Sequence, residues 1–86
     1  MSEQPRASSR SLYAPSRVEV RAAEDGVPRE VAGVGVDAVR EEWLLEDRWW
    51  TPRAIRRRYF ELVLADGRDE VVFRSALSGR WYRQRA

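Results

Sequence analysis

Arginine and tryptophan are the side chains here best equipped for chemistry, and both crowd into the second half of the chain. Arg48, Trp49, Trp50, Arg53, Arg56, Arg57 and Arg58 occupy a stretch without an acid, and Arg74, Arg80, Arg83 and Arg85 follow the last carboxylate, around Trp81 and Tyr82. A guanidinium forks onto phosphate or carboxylate and stacks on rings, while an exposed indole stacks on bases or anchors a protein interface. The candidate binding residues are therefore Arg48, Trp49, Trp50, Arg53, Arg56 and Arg57, with Arg80, Arg83 and Arg85 at the end. Phosphate and bases would suit them, and so would an acidic or aromatic protein surface.

The same residues also have a purely structural reading. The segment before the basic stretch holds Asp37, Glu41, Glu42, Glu46 and Asp47 against Arg40, so acids and bases adjacent in sequence can pair across strands and cancel. Trp43 and Trp81 fall inside expected strands and read as core. Trp49 and Trp50 are neighbours in an expected loop and cannot easily both be buried.

Catalysis has little to stand on. The chain contains neither histidine nor cysteine, which removes the commonest general base and nucleophile, and its carboxylates lack metal-ligand spacing. Glu41 and Glu42 point to opposite faces of a strand. Gly33-Val34-Gly35 lacks the third glycine of a dinucleotide loop and the Lys-Ser/Thr grip of a phosphate loop. The expectation is a non-enzyme with no cofactor and no metal.

The elements that must position these residues are strands. At 86 residues there is room for one domain, and without cysteine its core must come from large side chains. Residues 1–16 are rich in Ser, Arg, Pro and Gln and read as a disordered tail, with Leu12 and Tyr13 its only bulky pair; residues 17–86 read as a small β domain. Residues 17–22 alternate as one half-buried strand, Glu24-Asp25-Gly26 turns the chain, and residues 28–36 are extended, with glycines that permit a bulge or bend. Residues 36–47 fit a helix or a strand, and their neighbours favour a strand. Residues 47–55 look like a loop around Pro52. Residues 58–73 read as a hairpin on Ala65-Asp66-Gly67-Arg68, whose Asp-Gly pair is favoured in type I′ turns, and residues 80–85 as a last strand. The predicted fold is an all-β antiparallel meander of five or six short strands, with a partly open SH3-like barrel as the economical closure. No apolar run approaches the length of a membrane span, and a soluble, cytoplasmic protein is expected.

Trp43, Trp49-Trp50, Arg57-Arg58-Tyr59-Phe60, Asp66-Gly67, Phe73-Arg74 and Ser78-Gly79-Arg80-Trp81-Tyr82 together resemble a small bacterial domain family without an assigned function. That family occurs as stand-alone proteins in actinobacteria and at the C-terminus of some Y-family polymerase-like proteins of the ImuB type. The resemblance covers residues 18–85. It implies a role in mutagenic translesion synthesis, in which ImuB-type proteins are adaptors joining a polymerase to the clamp and other partners. The implied partner is thus a Y-family polymerase-like or other mutasome protein, or DNA. Ser75 stands where the family has an acidic residue, and Arg85-Ala86 lacks the apolar or aromatic tail of longer members, so contacts made by those residues do not carry over. No polymerase domain is present. The sequence therefore points to a non-catalytic accessory or adaptor domain linked to DNA damage tolerance, the alternative being a structural or oligomerisation domain with no nucleic-acid role.

Overall fold

The computed structural model describes residues 15–47 and 55–84. Among them seven antiparallel strands form one sheet: β1 (Ser16–Arg17), β2 (Val20–Ala22), β3 (Pro28–Val31), β4 (Val34–Asp47), β5 (Ile55–Leu64), β6 (Asp69–Ser75) and β7 (Trp81–Gln84). Their order is β1-β7-β6-β5-β4-β3-β2, a meander from β2 to β7 that curls into a half-barrel. The all-β expectation holds, with seven strands in place of five or six. No helix among the described residues is long and apolar enough to cross a membrane.

Part of the difference in strand count arises in residues 17–22, which divide where one strand was expected. Ser16 and Arg17 pair with Arg83 and Tyr82 at one edge, and Val20 pairs with Val31 at the other. Val18 and Glu19 step between the edges: the Val18 N–H donates to the Trp81 carbonyl (3.2 Å), and the Glu19 carbonyl accepts the Ala32 N–H (2.8 Å). The three steps from Arg17 to Val20 reach at most about 10 Å, so this link requires a curled sheet. Ser16, the last residue of the expected tail, already belongs to that sheet; residues 1–14 lie outside the described residues.

The turns also differ from expectation. Residues 28–36 are not one extended segment but a tight hairpin, in which Ala32 (φ 50°) and Gly33 (φ 83°) both take left-handed backbone between the paired Val31 and Val34. This is the two-residue type I′ pattern. At Asp66-Gly67, by contrast, only Gly67 (φ 89°) is left-handed. There the Leu64 N–H donates to the Arg68 carbonyl and the Gly67 N–H to the Leu64 carbonyl, closing a three-residue loop. The Asp25-Gly26 turn repeats that pattern between Ala23 and Val27. In both, an Asp Oδ1 accepts the N–H two residues on, from Val27 (3.0 Å) and Arg68 (3.1 Å), the local bond that suits Asp to turns.

Residues 36–47 are strand, as their context favoured, within the 14-residue β4. Register shifts between Val36 and Ala38 and between Val39 and Glu41 bend this strand around the barrel. On its inner face β5 places Phe60, Leu62 and Leu64, which bury completely with Val31 and Val72. Val18, Val20, Val27, Val34, Val36 and Trp81 pack around them. Each such side chain contributes roughly 1.5–3 kcal/mol by leaving water, and this cluster holds the curl closed.

Candidate functional site

Period-two alternation sends consecutive residues of β4 to β7 to opposite faces, and cross-strand register lines them up in rungs. Trp43 pairs with Tyr59, Tyr59 with Phe73 and Phe73 with Tyr82. The next rung is Leu44, Arg58, Arg74 and Trp81. The first faces outward, and the second faces the inside of the half-barrel, beside the core.

The outer rung is a continuous aromatic ladder. Ring centroids lie 5.1 Å apart for Trp43 and Tyr59, 4.9 Å for Tyr59 and Phe73 and 5.2 Å for Phe73 and Tyr82, with interplanar angles of 6°, 37° and 20°. Rings lying flat on the sheet would be farther apart, so these stand upright and spend their faces on one another. Arg57 completes the packing, with its guanidinium carbon 4.5 Å from the Phe73 centroid and its Nη1 donating to the Tyr59 hydroxyl (3.3 Å). Phe73 is left 2% exposed and Tyr59 8%. Trp43 corrects the sequence reading: it is not core but the open end of the ladder, 39% exposed.

The inner rung borders a cleft of about 280 Å³. Leu44 (63% exposed) and Trp81 supply its apolar walls, and Arg56, Arg58 and Arg74 surround them with Glu46. Arg58 and Arg74 face each other directly across β5 and β6, a like-charge opposition that costs on the order of 0.5 kcal/mol. Arg58 is partly relieved, because its Nε donates to Glu42 (2.6 Å) and its Nη1 to the Asp25 carbonyl (2.9 Å). A side chain on Gly26 would collide with that guanidinium. Arg74 donates only to the Gly79 carbonyl (3.2 Å) and has no carboxylate partner among the described residues.

The candidate residues taken from the sequence do not converge on one patch. Arg56 and Arg57 both border the cleft, but Arg56 pairs with Glu46 (3.3 Å) and the Arg57 guanidinium is committed to the outer ladder. Arg80 is exposed in the turn before β7, where its N–H donates to Ser78 Oγ (3.2 Å). Arg83 pairs with Glu70 (2.8 Å) and is mostly covered. The expected cancellation of acidic against basic strand segments is thus realised by Glu42 and Glu46. Arg48, Trp49, Trp50, Arg53 and Arg85 lie outside the described residues. The sequence reading notes Arg74 only within a basic stretch and does not single out Leu44; the two share a rung only once β4 to β6 are in register. Among the described residues no group of histidine, cysteine or carboxylate side chains is arranged to hold a metal ion. No family model, no curated protein and no solved structure matches the chain.

Proposed function

We propose that this is a non-catalytic adaptor domain whose partner is a protein surface rather than the phosphate backbone of DNA. One observation carries the reading: Arg56, Arg58 and Arg83, arginines of the basic segments, are answered by the chain's own Glu46, Glu42 and Glu70. Phosphate binding draws on cations free to replace counterions, and base stacking needs open ring faces, whereas the ladder's inner rings are already covered on both sides. The exposed Leu44, across the cleft from Trp81, is instead suited to an apolar side chain of a protein. The family resemblance supplies the setting, with a Y-family polymerase-like or other mutasome protein in DNA damage tolerance as the partner.

The test compares the full chain with labelled single-stranded and primer-template DNA at about 50 mM salt and with a purified ImuB-type protein. The expected result is weak DNA binding, and protein binding that Leu44→Asp abolishes while circular dichroism shows the sheet intact. Tight DNA binding with a steep salt dependence would overturn the reading. Oligomerisation is favoured by the consecutive exposed residues Trp43, Leu44 and Leu45; sedimentation showing a stable dimer at micromolar concentration would replace the adaptor reading with that one.

A further inference from the structure

Beyond its two register shifts, β4 pairs regularly with β5 from Glu41 opposite Glu61 to Asp47 opposite Ile55. On its other side β3 reaches only Val34 and Gly35, and no other strand among the described residues lies along 41–47. The backbone groups of this stretch that point away from β5 form an open edge, the template on which an extended chain adds as another strand.

The side chains along this edge specify what would add. Glu41, Trp43 and Leu45 are two residues apart and share the outer face. Trp43 ends the aromatic ladder, stacked on Tyr59 with no further ring against it among the described residues, and both it and Leu45 are 39% exposed. Glu41 stands opposite Glu61, and neither has a cationic partner among the described residues. This like-charge pair is left uncompensated, although Glu42 and Glu46 on the other face each have an arginine.

We infer that residues 41–47 are a strand-addition site for an extended segment of a partner protein that presents a basic residue opposite Glu41 and apolar residues opposite Trp43 and Leu45. The apolar residues would continue the ladder by one strand and cover Leu45; the basic one would neutralise the Glu41–Glu61 pair. Charge disfavours a second copy as the occupant. A two-fold pairing centred on Trp43 sets Glu41 against Leu45, and one centred on Leu44 sets Glu42 against Glu46, so neither brings a cation to Glu41. The inference rests on the reading that the partner is a protein, and it places that partner on the edge and outer face of β4, whose inner face lines the cleft through Leu44 and Glu46.

The probes are two seven-residue peptides in which threonine alternates with Val, Val and Arg, written in both chain directions so that parallel and antiparallel addition are covered. Matched peptides carry Glu in place of Arg. Titrated into the isotope-labelled full chain, an Arg peptide is expected to shift the amide signals of residues 41–47 and slow their exchange. The Glu versions should bind at least ten-fold more weakly. Glu41→Arg, which removes the repulsion from Glu61 and so leaves the fold intact, should reverse that preference.

Shifts confined to the cleft residues outside β4, Arg74 and Trp81 among them, with residues 41–47 unmoved, would overturn the edge assignment while leaving the protein-binding reading standing. Equal binding of Arg and Glu peptides, no response at 41–47, or protection of 41–47 by self-association without peptide would also overturn it. Peptide addition at the edge together with failure to bind the ImuB-type protein would remove that partner and keep the site.

Discussion

The rung Trp43–Tyr59–Phe73–Tyr82 and the rung Leu44–Arg58–Arg74–Trp81 cross the same four strands one residue apart. In the outer rung every neighbour attracts, and ring stacks on ring with Arg57 against Phe73. In the inner rung two guanidinium groups oppose each other between two apolar side chains, and its leucine is largely in water. The contrast separates a rung that stabilises the sheet from one that gives up stability to keep charge and apolar surface available.

The widest gap between the rungs should come from truncating each on the same strand. Phe73→Ala is expected to lower the unfolding free energy by about 3–5 kcal/mol, the usual cost of emptying a buried aromatic site. Arg74→Ala should change it by less than about 0.5 kcal/mol, as for an exposed residue. Urea titration measures both, and similar losses would erase the distinction. Ala32→Asn is the control away from both rungs: Asn tolerates the left-handed backbone of the type I′ turn better than Ala, so stability should rise by about 1 kcal/mol without altering that gap. Arg74→Glu turns the opposition with Arg58 into attraction and should add a few tenths of a kcal/mol, about 0.5 at most. A loss in thermal unfolding would mean the pair does not repel.

The smallest effect expected is that of acid. The Arg21 side-chain hydrogen bond, and then its charge, hold Glu30 below its ordinary value, and the backbone N–H of Arg68 chiefly does the same for Asp66. Carboxylates depressed in the folded state contribute stability above their unfolded values and lose it as pH falls through the folded ones. The midpoint of thermal unfolding should therefore decline below about pH 4. Both groups are exposed and stand outside the two rungs, so the decline should be shallow and should leave the difference between Phe73→Ala and Arg74→Ala unchanged.

Much of the sheet was legible because it is local. The aromatic and apolar residues of 58–64 and the Asp66-Gly67 pair mark the β5–β6 hairpin, and alternation alone separates Glu41 from Glu42. The class of turn was not legible, and it sets the partners: a two-residue turn on Asp66-Gly67 would pair Phe60 with Phe73, whereas the three-residue loop pairs Tyr59 with Phe73. A one-residue change in register moves an aromatic pair to the other face. Trp43 reads as core from its strand, and its exposure depends on β3 ending its pairing at Gly35. Arg83 looks available for binding until the β6–β7 register brings Glu70 to it. For Arg48, Trp49, Trp50, Arg53 and Arg85, which lie outside the described residues, the sequence reading stands alone.

The two-residue link at Val18 and Glu19 has a consequence for the order in which the molecule assembles. Strands β2 to β7 join neighbours in sequence, and their contacts close over short loops. The β1–β7 pair instead joins the first described strand to the last, and closing a long loop costs more chain entropy and slows contact formation. The Val18 hydrogen bond to Trp81 therefore forms after the meander has brought β7 into reach, whereas the Ala32 bond to Glu19 continues the local β2–β3 hairpin. In reverse, the same short segment is where the half-barrel opens first, and the amide proton of Val18 should exchange with solvent well before that of Phe60 in the central strand.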